Sequence, residues 1–323
     1  MSTSAASAPR RFAFTPRRLR DRVGDGILHV VTAAAALSVL VVSGLIVYEL
    51  VKDSKLTRDA FGFSFITSRA WDPVKGQFGA LDFIYGTIYT SLWAVLIAGP
   101  AAIAIALFLT ELAPRWTRTV IATLVDLLAA IPSVVIGLWG IFILGPVIQD
   151  HLGPFLSRWF GWTPFFKGTP QLEGYLAAVI VLAVMMLPIT AAVARELFVT
   201  VPRDLKEGAL ALGATRWEMI RGVIIPQTRG GLVAAVMLGL GRAIGEAIAV
   251  TQVIGDTLGI HLSLFEHGDT LASRIAAQYQ GASSNLQKSA LVELALVLLV
   301  FSLITNILAQ VIVRRFERQL GKS

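Results

Sequence analysis

Gly231-Leu232-Val233-Ala234-Ala235-Val236-Met237-Leu238-Gly239-Leu240-Gly241-Arg242-Ala243-Ile244-Gly245-Glu246 begins an apolar run that carries an arginine and a glutamate near its middle. Just upstream, Arg203-Asp204-Leu205-Lys206-Glu207-Gly208-Ala209 opens a charged connection that separates this run from another apolar one. A run of about 20 apolar residues is long enough to cross a bilayer as a helix. Long apolar runs joined by polar connections predict an all-α integral membrane protein.

Outward from that stretch the same alternation repeats. Apolar runs cover 27–48, 83–109, 119–148, 174–199, 231–254 and 290–313, which predicts six transmembrane helices. Pro132 is expected to kink the third run, which is longer than one span needs. Residues 1–26 read as a basic cytoplasmic tail, 27–50 as the first transmembrane helix and 51–82 as an external loop. The remaining five helices occupy 83–314, and 315–323 form a second tail. The run at 27–48 is too long for the roughly 7–15-residue apolar core of a signal peptide. Residues 149–172 hold Trp159, Phe160, Trp162, Phe165 and Phe166, the aromatic belt of an interfacial loop.

Composition agrees: 55% of the 323 residues are hydrophobic and only 15% are charged, where soluble domains carry about 25%. The chain has no cysteine, so it holds no disulfide, thiolate metal site or cysteine nucleophile. Its four histidines are scattered and suggest no metal site. The net charge of +7 could point to nucleic acid, but its distribution points elsewhere. Connections on the side of the termini carry 17 Lys and Arg, and those on the other side carry 9. Basic residues favour the cytoplasm, so both termini are expected there.

The charged connection reads as a short amphipathic helix after Pro202, a turn at Gly213 and a second short segment before Pro226. Its spacing is specific: Glu207-Gly208-Ala209, three residues, Gly213, nine residues, then Val223-Ile224-Ile225-Pro226. This resembles the EAA loop of ABC importer permeases, with Gly208, Val223 and Ile225 as modest departures. The resemblance implies that 201–228 holds a coupling helix that docks on a separate ATPase subunit. Glu207, Gly208, Ala209, Leu212, Gly213, Ala214 and Pro226 are then the expected coupling residues. The chain has no phosphate-binding loop of its own, so ATP and Mg belong to that partner.

Arg242 lies about 11 residues, or about 17 Å, from either end of its run. A charge at that depth costs about 2.5–3.5 kcal/mol on insertion scales and has to face a cavity or a partner. Glu246, four residues on, would share its helix face. Two readings stay open, and they are compatible: a structural ion pair between helices, or an anion path lined by the arginine. A planar guanidinium suits a tetrahedral oxyanion because it donates two parallel hydrogen bonds. Gly239-Leu240-Gly241 follows no strand, so it is no dinucleotide loop, and its small residues suit close helix packing. Asp126 is expected to bond a neighbouring helix, and Arg195 with Glu196 to pair or snorkel. Thr87, Thr90 and Ser133 are further candidates for the path.

Gly239 to Ala247, Phe83-Ile84-Tyr85-Gly86-Thr87-Ile88-Tyr89-Thr90-Ser91 and Ala130-Ile131-Pro132-Ser133-Val134-Val135 together resemble the permeases of phosphate-specific (Pst) ABC importers. The long N-terminal part and Trp71-Asp72-Pro73 resemble the PstC type more than its PstA-type partner. The resemblance implies a type I ABC importer permease fold and ATP-driven import of inorganic phosphate by alternating access. It implies the bacterial inner (plasma) membrane, a second homologous permease, an ATPase dimer and an extracytoplasmic phosphate-binding protein. It also makes Arg242 and Glu246 the pore charges. No metal, catalytic residue or cofactor is expected in this chain. A permease for sulfate or molybdate, a passive anion channel and a membrane-embedded enzyme are the other readings considered.

Overall fold

The computed structural model describes residues 19–320. Its helices are α1 (Leu19–Asp53), α2 (Lys55–Phe61), α3 (Ser64–Thr67), α4 (Leu81–Leu112), α5 (Arg115–Ala130) and α6 (Ser133–Phe160). They continue as α7 (Tyr175–Thr200), α8 (Arg203–Ala211), α9 (Arg216–Gly245), α10 (Ile248–Val253), α11 (Leu271–Gln278) and α12 (Asn285–Leu320). A short antiparallel hairpin, β1 (Trp71–Asp72) with β2 (Gln77–Phe78), sets Trp71 opposite Phe78. Among the described residues, six helices are long and apolar enough to cross a membrane: α1, α4, α6, α7, α9 and α12. The chain is a multi-pass membrane protein. Arg10, Arg11, Arg17 and Arg18 of the basic tail, and Lys322 at the other end, lie outside the described residues.

The chain forms two compact units, 1–49 and 50–323. The first holds most of α1, whose apolar residues run all round the helix, as suits one bathed in lipid. The second is built around α7. This helix is apolar along almost its whole length and packs against α4, α5, α9 and α10. Its buried Val179, Leu182 and Met186 form one cluster with Ala94 and Ala98 of α4 and Val250 and Val253 of α10. Lipid tails are as apolar as these side chains, so close packing rather than escape from water joins the helices. The glycines serve that packing. A Cβ on Gly231 would meet Leu197 at 2.6 Å, and one on Gly239 would meet Thr190 Oγ1 at 2.5 Å. These two contacts also show that α7 and α9 run antiparallel.

Two of the expected spans are discontinuous. Proline was expected to kink the third, but the helix stops: Ile131 and Pro132 are both extended, with ψ of 127° and 140°. The proline ring disfavours helical backbone in the residue before it, so the path divides into α5 and α6. The expected interfacial loop is correspondingly shorter, because α6 runs on to Phe160 through two π turns. The fifth path starts earlier than its apolar run and breaks inside it. α9 ends at Gly245, Glu246 is extended, and α10 resumes at Ile248. Pro226 sits inside α9 rather than before it. A π turn at Ile220–Ile224 precedes it and absorbs the hydrogen bond that proline cannot donate.

Candidate functional site

The two backbone breaks meet. A Cβ on Gly137 of α6 would lie 2.9 Å from the Gln252 side chain and 3.0 Å from Ala249 Cα of α10. A Cβ on Gly140 would meet Val253 Cγ1 at 2.6 Å and Val181 of α7 at 3.1 Å. α6 and α10 therefore lie side by side and parallel, and their register sets Ser133 level with Glu246. Both helices begin at this depth, and each start leaves backbone N–H groups without intrahelical partners. Helix starts carry partial positive charge and favour anions. Glu246 Oε1 accepts one of these hydrogen bonds, from Ala249 N–H at 3.3 Å. That bond takes up one of the first N–H groups of α10, just after Gly245, a residue of low helix propensity.

Arg242 lies in the last turn of α9, just before the break. Gly239, one turn earlier, touches Met186 and Thr190 near the middle of the 26-residue α7, so Arg242 is at mid-depth. It was expected to share a helix face with Glu246. The helix ends between them, and no ion pair joins the two among the described residues. Arg242 is exposed, on a stripe of α9 that also shows Gln227, Ala234, Leu238 and Gly245. The neighbouring Asn306 of α12 is 3.9 Å from where a Gly241 Cβ would be. Asn306 and Gln310 line a cleft of about 380 Å³ between α9 and α12. Sequence reading passed over this pair, although two amides four residues apart in an apolar span are visible there.

The remaining candidates separate. Ser133 opens α6 beside the break and is half-buried. Thr87 and Thr90 are buried and bonded to their own helix. Thr87 Oγ1 donates to Phe83 O and accepts from Leu271 N, and Thr90 Oγ1 donates to Gly86 O. Thr87 joins α4 to the start of α11, and no bond links either threonine to Arg242 among the described residues. Asp126 was expected to bond a neighbouring helix; it is exposed on α5 and bonds nothing among the described residues. Arg195 and Glu196 pair at 3.8 Å.

At the opposite end of α7 stands α8. Gly213 N donates to Leu210 O and Ala214 N to Ala209 O, the pair of bonds that closes a helix on a left-handed residue. Gly213 supplies that residue, with φ of 87°. Thr215 then caps α9 in a reciprocal box with Glu218. Around this turn Glu207 is exposed, Leu212 is 91% exposed and Trp217 is 63% exposed. A Cβ on Gly208 would touch nothing, so α8 presents a bare face. Its root is fixed, because Lys206 Nζ donates to Glu111 Oε1 at 2.7 Å and to Phe198 O at 3.0 Å.

The other face holds a buried charge cluster that sequence reading missed. Arg274 of α11 is 4% exposed, 2.6 Å from Asp269 and 2.7 Å from Asp256. Its guanidinium also lies 4.9 Å from the Phe83 ring centre, a cation–π contact. Ser273 Oγ and Thr270 N donate to Asp269. Burial pushes the Asp269 carboxyl up, against the pull of Arg274 and Ser273. Nearby, Asp72 accepts from Val74 N and Lys75 N. The Lys75 N–H bond is the main reason its carboxyl is held below the usual range. The partners of Arg274 sit in ordinary polar loops, and no spacing in the sequence joins them.

Residues 100–318 match the family described as binding-protein-dependent transport system inner membrane component. The chain is 42% identical over 323 residues to the phosphate transport system permease protein PstC of Mesorhizobium japonicum, covering 99% of this chain and 96% of that one. It is 43% identical to the protein of the same name in Haemophilus influenzae, over 92% of this chain and 96% of that one. A solved bacterial alginate ABC transporter, in complex with its alginate-bound periplasmic protein, shares the fold. The TM-score is 0.59 at 19% identity, over 92% of this chain and 99% of that one.

Proposed function

The chain belongs to the binding-protein-dependent transport system inner membrane components, and on that premise we propose that it is the PstC-type permease subunit of an ATP-driven importer of inorganic phosphate. The observation that carries the anion path is Arg242, exposed at mid-depth beside the starts of α6 and α10. An arginine facing lipid there would cost several kcal/mol by insertion scales, so its face belongs against a partner or water. A second homologous permease supplies that partner and closes one pore between the two chains. Asp126, also exposed on an apolar path, asks for the same cover.

The chain is a permease subunit and not an enzyme. Phosphate arrives from an extracytoplasmic binding protein on the face of β1, β2 and α11. The two helix starts and Arg242 attract the anion, and Ser133 is placed to donate a hydrogen bond. Glu246 carries a negative charge at the same level, which keeps the anion's hold weak enough for release. On the cytoplasmic face Glu207, Gly208, Ala209, Leu212, Gly213 and Ala214 meet an ATPase subunit of a dimer that binds ATP and Mg. Pro226 and the π turn before it connect that contact to the membrane-spanning part of α9. Closure of the ATPase pair moves α8 as a lever and alternates access to the pore.

The test is uptake by the reconstituted complex with competing oxyanions. Excess unlabelled phosphate is expected to abolish ATP-dependent uptake of labelled phosphate, with sulfate and molybdate leaving it unchanged. Competition by sulfate or molybdate at equal strength would assign a different oxyanion. Uptake without ATP would make the chain a channel.

A further inference from the structure

A hollow of about 390 Å³ lies at the root of α8, walled by the end of α4, the start of α5 and the end of α7. Arg118, Arg195, Arg203 and Lys206 line it, with Glu111. Glu111 is already taken by Lys206 at 2.7 Å. Among the described residues the acidic partner of Arg195 is its neighbour Glu196, which is 74% exposed and 3.8 Å away, a pairing of little strength in water. Arg118 donates to the Thr110 carbonyl at 2.8 Å, and Arg203 has no acidic partner among the described residues. Three arginines from three elements thus line one hollow whose one lining carboxylate, Glu111, is occupied. Arginines placed merely to fix topology have no reason to share a hollow, because each gains more hydration by splaying into water.

We propose that this hollow is a second oxyanion site that takes a phosphate group and, when filled, restrains α8. Guanidinium groups bind phosphate oxygens through paired charge-assisted hydrogen bonds. An anion there would join Arg203 and Lys206 of α8 to Arg118 of α5 and Arg195 of α7. The lever would then be tied to the spans it has to move against. The phosphate group comes either from the imported ion accumulating on this face or from the headgroup of an anionic lipid at the membrane boundary. The inference rests on the proposed function, because only in a phosphate importer does the first source make the site a restraint by product.

The experiment uses the whole complex in nanodiscs of zwitterionic lipid, with saturating phosphate-loaded binding protein, and reads ATP hydrolysis as inorganic phosphate is raised. Hydrolysis by the wild type is expected to fall. In Arg118→Gln/Arg203→Gln the half-effect should move up by about tenfold or more, from two lost charge-assisted contacts. A parallel set contains phosphatidylglycerol and no added phosphate. If lipid fills the hollow, the wild type is slow there from the outset and the double variant is not. Equal responses of wild type and variant in both sets would overturn the proposal. If the double variant does not assemble, Arg118→Gln and Arg203→Gln are measured singly, and no shift in either is the overturning result. Failure of the loaded binding protein to stimulate the wild type would instead count against the proposed function.

Discussion

Arg274 shows how a single side chain holds together the connections on the face away from α8. It is buried between Asp269 and Asp256 and lies over Phe83. Arg274→Gln would leave Asp269 buried without its cationic partner, a loss of up to about 3–5 kcal/mol. The expected outcome is a sharply lower melting midpoint of the purified complex and poor assembly; a wild-type melting curve would contradict it. Arg242 was legible in the sequence because a charge stands out in an apolar run. Arg274 was not, because its run is polar and its acids lie 18 and 5 positions away. The Arg242–Glu246 relation was legible in spacing and wrong in geometry, since i and i+4 share a face only while the helix continues.

At the scale of elements, a hydropathy pattern reports where chain enters and leaves lipid and not whether its helix is continuous. All six apolar runs correspond to helical paths, yet breaks at Ile131–Pro132 and at Glu246 divide two of them. Pro132 is the visible sequence signal of the first break. The second break, at Glu246, has no proline to announce it and shows only in the folded chain. The turn after α8 was fully legible, because a glycine after a helix-forming stretch marks a left-handed closing residue. Gly213→Val would force a β-branched residue to φ near 87°, at a cost of about 1–3 kcal/mol. The turn lies outside the spans, so the complex is expected to reach the membrane. ATP hydrolysis should then lose its stimulation by loaded binding protein. Normal stimulation would show that the turn does not transmit the ATPase motion.

At the scale of the whole molecule, the bias of basic residues predicts an inside and an outside, and the absence of native cysteine makes this easy to test. Ala211→Cys, on the α8 face, is expected to react with a membrane-impermeant thiol reagent only in inverted vesicles. Ser284→Cys, on the opposite face, should react only in spheroplasts. The reverse pattern would invert the proposed orientation. The ATPase is expected from the coupling-loop spacing, and the partner permease and the binding protein from the resemblance to phosphate-specific permeases; none of the three is displayed by one chain. What the single chain does show is an arginine at mid-depth with no partner of its own among the described residues. The most direct measurement is therefore ATP-dependent phosphate uptake by the reconstituted complex, wild type against Arg242→Gln, with assembly and stimulated ATP hydrolysis measured on the same preparations. Loss of uptake with assembly and stimulated hydrolysis intact is the expected result. Uptake at the wild-type rate, or failure of the variant to assemble, would make Arg242 a structural charge and contradict its place in the anion path.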